Sequence, residues 1–540
     1  MNTVAQLIIS ALRALEIAEL YCLPGVQNDE FFDALVDAPD IRPLVTRHEQ
    51  GAAFMALGAS QITNKPAAFS VVPGPGLLNA GAALTSAYWA GGRILGIVGA
   101  IPTGAKGRGV GVLHELPNQS AVVEQLTKHN EYISSGADAF DQVNRALVAL
   151  LTGEPRPVTI EVPVDVWSQP VGGLIAQLPA LPPTPTPTPV ALSTAIQLMA
   201  SCQRPVIVVG GGAHEAAGEI QELAERLGAP VFTRRQGHGV VDARHRLWAP
   251  MPVGHKLWAN ADLAIGIGTR MEFPITHWGT DDDLDIIQIN IDAEELDRHN
   301  LGTTGLHGDA QTVVRQLLNS IKGRNLNASD RALDVAEMRR QFEVESAVLA
   351  PQREFLQAIR ASMADDTVVV EDVTQLGFAS HIASEFYQPR TFLTSGPAGT
   401  LGAGVAQAIG AQSATDRNVL GIVGDGGFLF SGAELASAVQ HDIAVTILLH
   451  NNNAYGNVKA IQANRFGEDR LIASTLANPD FVAMGRAFGV NSTGVTTADE
   501  LYAALGEAFA HNGPSLVVLT TGDLPSPWPW ILLPRLRGLG

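Results

Sequence analysis

Two apolar runs, Val419-Leu420-Gly421-Ile422-Val423 and Val445-Thr446-Ile447-Leu448-Leu449, each stop at a polar turn, Gly424-Asp425-Gly426-Gly427 and Asn451-Asn452-Asn453-Ala454-Tyr455-Gly456. Asp425 and Asn452 lie 27 residues apart, the span of one strand tip, a crossover helix and the tip of the next parallel strand. A hairpin turns back within a few residues, whereas parallel strands need such a crossover, and their ligand-binding loops gather at the strand carboxyl ends. An acid and an amide therefore meet at one crevice. Hard divalent cations such as Mg²⁺ take oxygen ligands and share their remaining positions with phosphates and water. The Asp425 carboxylate, the Asn452 amide oxygen and the Ala454 carbonyl form such a set. Glycines on both sides, among them Gly426, Gly427 and Gly456, let a diphosphate approach main-chain N–H groups. Either turn alone would also suit an ordinary α/β sheet.

The same alternation recurs along the chain. Strand-like runs at Val368–Val370, Phe392–Thr394 and Leu516–Leu519 flank the first two, and Pro205–Val209, Ala264–Ile267 and Ile286–Ile289 mark an earlier block. This reads as α/β, with doubly wound parallel sheets. Leu181-Pro182-Pro183 and the following Thr-Pro repeat to Pro189 form an extended spacer. The charged stretch Lys322–Arg340 reads as a second linker, leading into a helix over Gln352–Met363. The expected domains are 1–178, 190–322 and 350–540, in line with 540 residues.

Composition excludes some partners. A net charge of −19 argues against nucleic acid, which is bound through a surplus of Lys and Arg. No apolar run reaches membrane-spanning length. Met1–Leu20 reads as an amphipathic helix without the basic-then-apolar order of a signal peptide. Only Cys22 and Cys202 are present, which suits a reducing compartment better than a disulfide framework. The expectation is a soluble cytoplasmic protein.

The Asp425 and Asn452 turns together resemble the GDG…NN signature of thiamine-diphosphate-dependent enzymes. That family needs a carboxyl at the pyrimidine end of its cofactor. Arg47-His48-Glu49-Gln50-Gly51-Ala52-Ala53 follows a strand-like run and opens a small-residue helix. It resembles the place where the acetolactate synthase, pyruvate oxidase and benzoylformate decarboxylase group carries its catalytic glutamate. A zinc-protease reading of His48-Glu49 fails because position 52 is Ala52. The resemblance covers nearly the whole chain and implies pyrimidine-binding, central and diphosphate-binding domains in that order. It implies contacts to the cofactor from Pro75 and Asn79 beside Glu49, from Thr374 and Gln375, from Gly399 and Leu401, and from Asp425, Gly426, Gly427, Asn452, Tyr455 and Gly456. Leu401 falls where the family bends the cofactor into a V, and Asp425, Asn452 and Ala454 would hold Mg²⁺.

The implied chemistry is decarboxylation or carboligation of a small 2-oxo acid or 1,2-dicarbonyl through a C2 ylid and an enamine. Substrate-facing candidates are Val26, Gln27, Asn28, His114 and Asn457. His114 and Glu115 are the catalytic candidates beside Glu49, with His114 able to relay protons near neutral pH. Two departures weigh against a biosynthetic acetolactate synthase. Ala100 replaces a common glutamine, and no Trp-Gln pair follows Asn457. The central domain keeps Arg270 at the family's flavin-contacting loop and loses the pattern after it. FAD is therefore an open but unsupported option, and Gly210 and Gly212 open a dinucleotide fingerprint whose last glycine would fall at Glu215, so a Rossmann nicotinamide site is weakly supported. An FAD-linked oxidase and a non-catalytic cofactor-binding relative are the rival readings. The family's sites lie between subunits, which implies a homodimer at least and a tetramer as the commoner outcome. The Trp/Pro-rich tail from Pro525 to Arg537 either caps the site or packs on the diphosphate domain.

Overall fold

The computed structural model describes residues 2–538. Three six-stranded, wholly parallel sheets follow one another along the chain. The first holds β1 (Glu19–Cys22), β2 (Arg42–Val45), β3 (Ala67–Val71), β4 (Ile94–Ala100), β5 (His129–Tyr132) and β6 (Val158–Pro163), in the order β2-β1-β3-β4-β6-β5. The central sheet holds β7 (Pro205–Val209), β8 (Val231–Phe232), β9 (Trp248–Ala249), β10 (Leu263–Ile267), β11 (Asp285–Asn290) and β12 (Thr304–His307), in the order β12-β11-β10-β7-β8-β9. The third holds β13 (Val368–Glu371), β14 (Phe392–Thr394), β15 (Val419–Gly424), β16 (Thr446–Asn451), β17 (Asn491–Val495) and β18 (Ser515–Thr520), in the order β14-β13-β15-β16-β18-β17. The fold is therefore three doubly wound α/β layers.

Strands buried on both faces must be apolar throughout, and β3, β4, β7, β10, β15 and all but the last residue of β16 are fully buried. Pairing of Gly424 with His450 across β15 and β16 brings the two polar turns side by side. The outer sheets share one strand order and are bound by a crossing of two helices, Glu49–Thr63 and Ala403–Ser413. Their backbones touch. A Cβ on Gly58 would lie 2.0 Å from the Gln407 carbonyl oxygen, and one on Gly410 would lie 2.0 Å from that of Met55. Gln407 also donates to Gln61 across this crossing, at 2.5 Å and fully buried.

Several expectations need correcting. The stretch read as a second linker contains a helix, Ala332–Glu345, whose Val335 and Phe342 are buried against the central layer. Its sparse apolar positions hid it. The N-terminal helix spans only Val4–Ala14, because Glu19–Cys22 is a strand. The edge strand β17 went unread because Ser492-Thr493-Gly494 breaks its apolar pattern. The tail does not end on the diphosphate layer. The Arg537 side chain donates to the carbonyls of Trp258 and Ala261, and His255 hydrogen-bonds the Pro534 carbonyl. Only its last residues are seated on the central layer; its start packs on the third, where Gln352 donates to the Pro525 carbonyl and Trp528 lies against Phe378. No helix among the described residues is long and apolar enough to cross a membrane.

Candidate active site

In the third sheet the strand order reverses between β13 and β15, and at such a switch point the carboxyl-end loops diverge and leave a crevice. Asp425 stands at this tip, 2 % exposed. One carboxylate oxygen accepts from the Gly426 N–H at 2.9 Å; the other accepts from the Ala454 N–H at 3.2 Å and from the Asn478 amide at 2.8 Å. Burial raises its pKa above the ordinary value, opposed by those three donors. Such a carboxylate gains from a cation beside it. The same Asn478 amide reaches the side-chain oxygens of Asn451 at 3.0 Å and Asn453 at 3.2 Å. Asn453 is left-handed at φ 53°, which turns the chain so that Ala454 faces Asp425. Asn452 sits half-buried on that turn, its amide nitrogen packed so close to Gly456 that a Cβ there would lie 2.7 Å away.

Unpaired polar atoms surround this tip. The Gln375 side-chain oxygen and the Asn457 side-chain oxygen are buried with no partner among the described residues. A Cβ on Gly456 would lie 3.1 Å from the Gln375 amide oxygen, and one on Gly426 would strike the Tyr455 ring at 2.4 Å. Thr374 caps the helix Gln375–Ala383, and its hydroxyl meets His450 at 3.3 Å. Gly399 and Gly402 are left-handed at φ 63° and 82°, and they bracket Leu401, which is half-buried and belongs to none of the hydrophobic clusters. These residues fit a magnesium diphosphate: acid, amide and carbonyl oxygens, orphaned polar atoms, and glycines where a side chain would clash.

In the first sheet the reversal falls between β1 and β3. Glu49 opens the helix Glu49–Thr63, is 8 % exposed, and accepts a hydrogen bond from Asn79 at 2.9 Å. Gly76 lies against the same carboxylate, just after Pro75 at the first position of the helix Pro75–Ala90. The loop beyond brings His114, itself left-handed at φ 63°, to Gln27: Nδ1 meets Oε1 at 3.1 Å, while Gln27 donates to the Leu113 carbonyl at 3.3 Å. Val26 is exposed beside them. Asn28 departs from the expected substrate face. It is 0 % exposed and its amide donates to the Ser70 hydroxyl and the Val71 carbonyl, so it ties the turn after β1 to the end of β3. Glu115 folds back on its own loop and accepts from the Gly111 and Val112 N–H groups. Glu49 and Asp425 share no hydrogen-bonding partner within one chain. Instead Glu434, nine residues beyond Asp425, accepts from the Arg47 and His48 N–H groups just before Glu49, at 2.9–3.1 Å.

Models of the three thiamine pyrophosphate enzyme domains match in order: the N-terminal domain over residues 2–122, the central domain over 192–317 and the C-terminal domain over 372–519. A probable 2-ketoarginine decarboxylase from Pseudomonas aeruginosa is 32% identical over 528 residues, covering 96% of this chain and 94% of that protein. The chain belongs to the thiamine-diphosphate-dependent enzymes of the acetolactate synthase family. A probable acetolactate synthase large subunit from Methanocaldococcus jannaschii is 30% identical over 95% of the chain and 91% of that protein. The Corynebacterium glutamicum acetolactate synthase large subunit is 28% identical over 98% and 88%. The protein is accordingly a thiamine-diphosphate-dependent enzyme of the decarboxylase and carboligase type.

Sequence reasoning missed three polar residues of this family member's site: Asn478, Glu434 and Gln119. Asn478 had a local signal, since Asn-Pro-Asp precedes a helix capped by Asp480. The other two had none. A second cavity, of about 910 Å³, opens at the carboxyl ends of β7 and β10 and reaches the first domain at Arg93 and the third at Arg390. Gly210–Gly212 and Gly268 form its floor, with Arg93, Arg234 and Arg235 in its wall. None of those three arginines has a carboxylate within ion-pair distance among the described residues, and burial lowers the pKa of each, Arg234 to about 10.

Proposed function

We propose that the protein is a magnesium- and thiamine-diphosphate-dependent decarboxylase or carboligase acting on a small 2-oxo acid or 1,2-dicarbonyl. The observation that carries this reading is the buried Asp425 carboxylate facing the Asn452–Ala454 turn, ringed by unpaired amide oxygens and glycines. Asp425, Asn452 and the Ala454 carbonyl hold Mg²⁺ and through it the diphosphate. Thr374, Gln375 and Gly456 supply polar and glycine contacts, and Leu401 supports the bend. Bound thiamine diphosphate supplies the electron sink that decarboxylation of a 2-oxo acid requires. Glu49, oriented by Asn79, would exchange a proton with the bound cofactor. His114, held by Gln27, moves protons at the substrate, with Val26 beside it.

In the family this chain belongs to such sites lie between subunits, so the working site is read as Glu49 from one copy and Asp425 from another, making a homodimer the smallest active unit. The relatives carry the names probable 2-ketoarginine decarboxylase and probable acetolactate synthase large subunit, which supports a 2-oxo acid substrate here. Buried, unpaired Cys22 and Cys202 fit a cytoplasmic setting. One observation favours an FAD-linked variant: the arginine-lined cavity of the central layer, which suits an anionic ligand of nucleotide size. A yellow protein as purified supports that variant, and a colourless, fully active one removes it.

The test is the purified protein with Mg²⁺, thiamine diphosphate and a panel of 2-oxo acids, following CO₂ and ligation products. CO₂ release that vanishes with EDTA and returns with Mg²⁺ is expected. Turnover indifferent to both cofactor and metal defeats the assignment.

A further inference from the structure

Glu161, on β6, is 1 % exposed, yet no Lys, Arg or His among the described residues lies within ion-pair distance of it. Lys106, seated over the Tyr132 ring, faces it only at longer range. A charge taken out of water without a partner is costly and persists only where its hydrogen bonds are complete. Here three neutral donors complete them: Gln119 Nε2 at 2.8 Å, Ser120 Oγ at 2.7 Å and Asn130 Nδ2 at 2.6 Å. A carboxylate accepts on both oxygens and donates nothing, so it dictates which way the Gln119 amide points. Nε2 turns to Glu161 and to the Gly99 carbonyl at 3.0 Å, which leaves Oε1 to accept from the Gly74 N–H at 2.8 Å.

Gly74 is the pivot. Its backbone is left-handed at φ 59°, and a Cβ there would lie 2.4 Å from the His114 carbonyl oxygen. It also precedes Pro75 as the cap of the helix that carries Asn79, the donor to Glu49. Resting on the assignment of Glu49 and His114 above, we propose that Glu161 is a positioning residue for catalysis, acting through the Gln119 amide to fix the Gly74 turn. That turn sets both the Asn79–Glu49 pair and the His114 loop. Displacements of about 1 Å at reacting groups cost on the order of 10²-fold in rate.

The amide logic gives a test that simple destabilisation does not mimic. In Glu161→Gln either orientation of the new amide sets an N–H against the Gln119 or the Asn130 donor. In Gln119→Glu two carboxylates face one another. In the double variant, which exchanges the two side chains, the amide now at position 161 donates to the carboxylate now at position 119. The other oxygen of that carboxylate still accepts from Gly74, and the one contact not restored is at the Gly99 carbonyl, which then faces a carboxylate oxygen in place of an N–H donor. Each single variant is expected to lower kcat by about 10- to 100-fold with little change in KM, and the double variant to recover most of that loss. Wild-type kcat in either single variant, or losses that simply multiply in the double, overturns the proposal. Urea midpoints of the same four proteins follow the bond exchange without cofactor. The double variant's midpoint is expected to lie above both singles, and a midpoint below both overturns the exchange. A wild type without cofactor-dependent turnover would instead count against the function assigned above.

Discussion

The first and third sheets have the same strand order, six parallel strands each and a crevice at the same switch point, yet their tips carry opposite equipment. The third presents a buried acid, three successive asparagines and left-handed glycines, a surface built for a cation and phosphates. The first presents one carboxylate held by an amide, beside a histidine loop fastened by glutamines. Topology supplies the crevice and loops supply the chemistry. On the function proposed above each tip supplies half of a site, so each should fail in its own way.

Glu49→Gln gives the largest contrast. Losing the proton-holding group should lower turnover by about 10²- to 10⁴-fold while Mg²⁺-dependent binding of thiamine diphosphate, followed by calorimetry, stays near wild type. Loss of binding as well would mean that the two tips are not divided in this way. Asn478→Ala attacks the other half. Its amide orients Asp425 and the Asn451–Asn453 turn, and residues that orient metal ligands contribute about 10- to 100-fold in metal affinity. A Mg²⁺ titration of cofactor binding should show that loss, with kcat at saturating metal nearly unchanged.

Gly410→Ala tests the crossing that binds the two sheets. A Cβ 2.0 Å from the Met55 carbonyl oxygen forces the helices apart, at a cost of about 1–3 kcal/mol, read as a lower urea midpoint. The central layer offers the smallest effect. His238 is 3 % exposed among Phe386 and Phe392, and burial pulls its pKa down to about 3. Its folded value lies below the unfolded value of about 6.5, so the stabilisation is complete above pH 6.5 and is lost as pH falls toward 3. Between pH 7 and pH 5 that loss approaches about 2 kcal/mol. His238→Phe should show a correspondingly shallower acid dependence of its urea midpoint.

The layered fold and the meeting of the Asp425 and Asn451–Ala454 turns were legible because both depend on short-range patterns. Buried parallel strands must be continuously apolar, and the Asp425-to-Asn452 spacing follows from one crossover. The place of Glu49 at the head of a helix after a strand was legible, as was the glycine-flanked turn at Leu401. What stayed hidden depends on residues far apart in sequence. Nothing near Asn28 indicates that its amide reaches Ser70 and Val71 on β3, and nothing near Glu161 indicates that its acceptors fix an amide at Gln119 and a turn at Gly74. The helix Ala332–Glu345 escaped because its buried face is only a few residues wide.

The central claim is that one working site joins the first-sheet tip of one copy to the third-sheet tip of another. Glu49→Gln and Asp425→Ala chains, each inactive alone, can be given different affinity tags, co-expressed and isolated as the hybrid. A shared site predicts that the hybrid regains turnover, because one of its crevices then combines an intact Glu49 with an intact Asp425. A purified hybrid as inactive as either parent would contradict it.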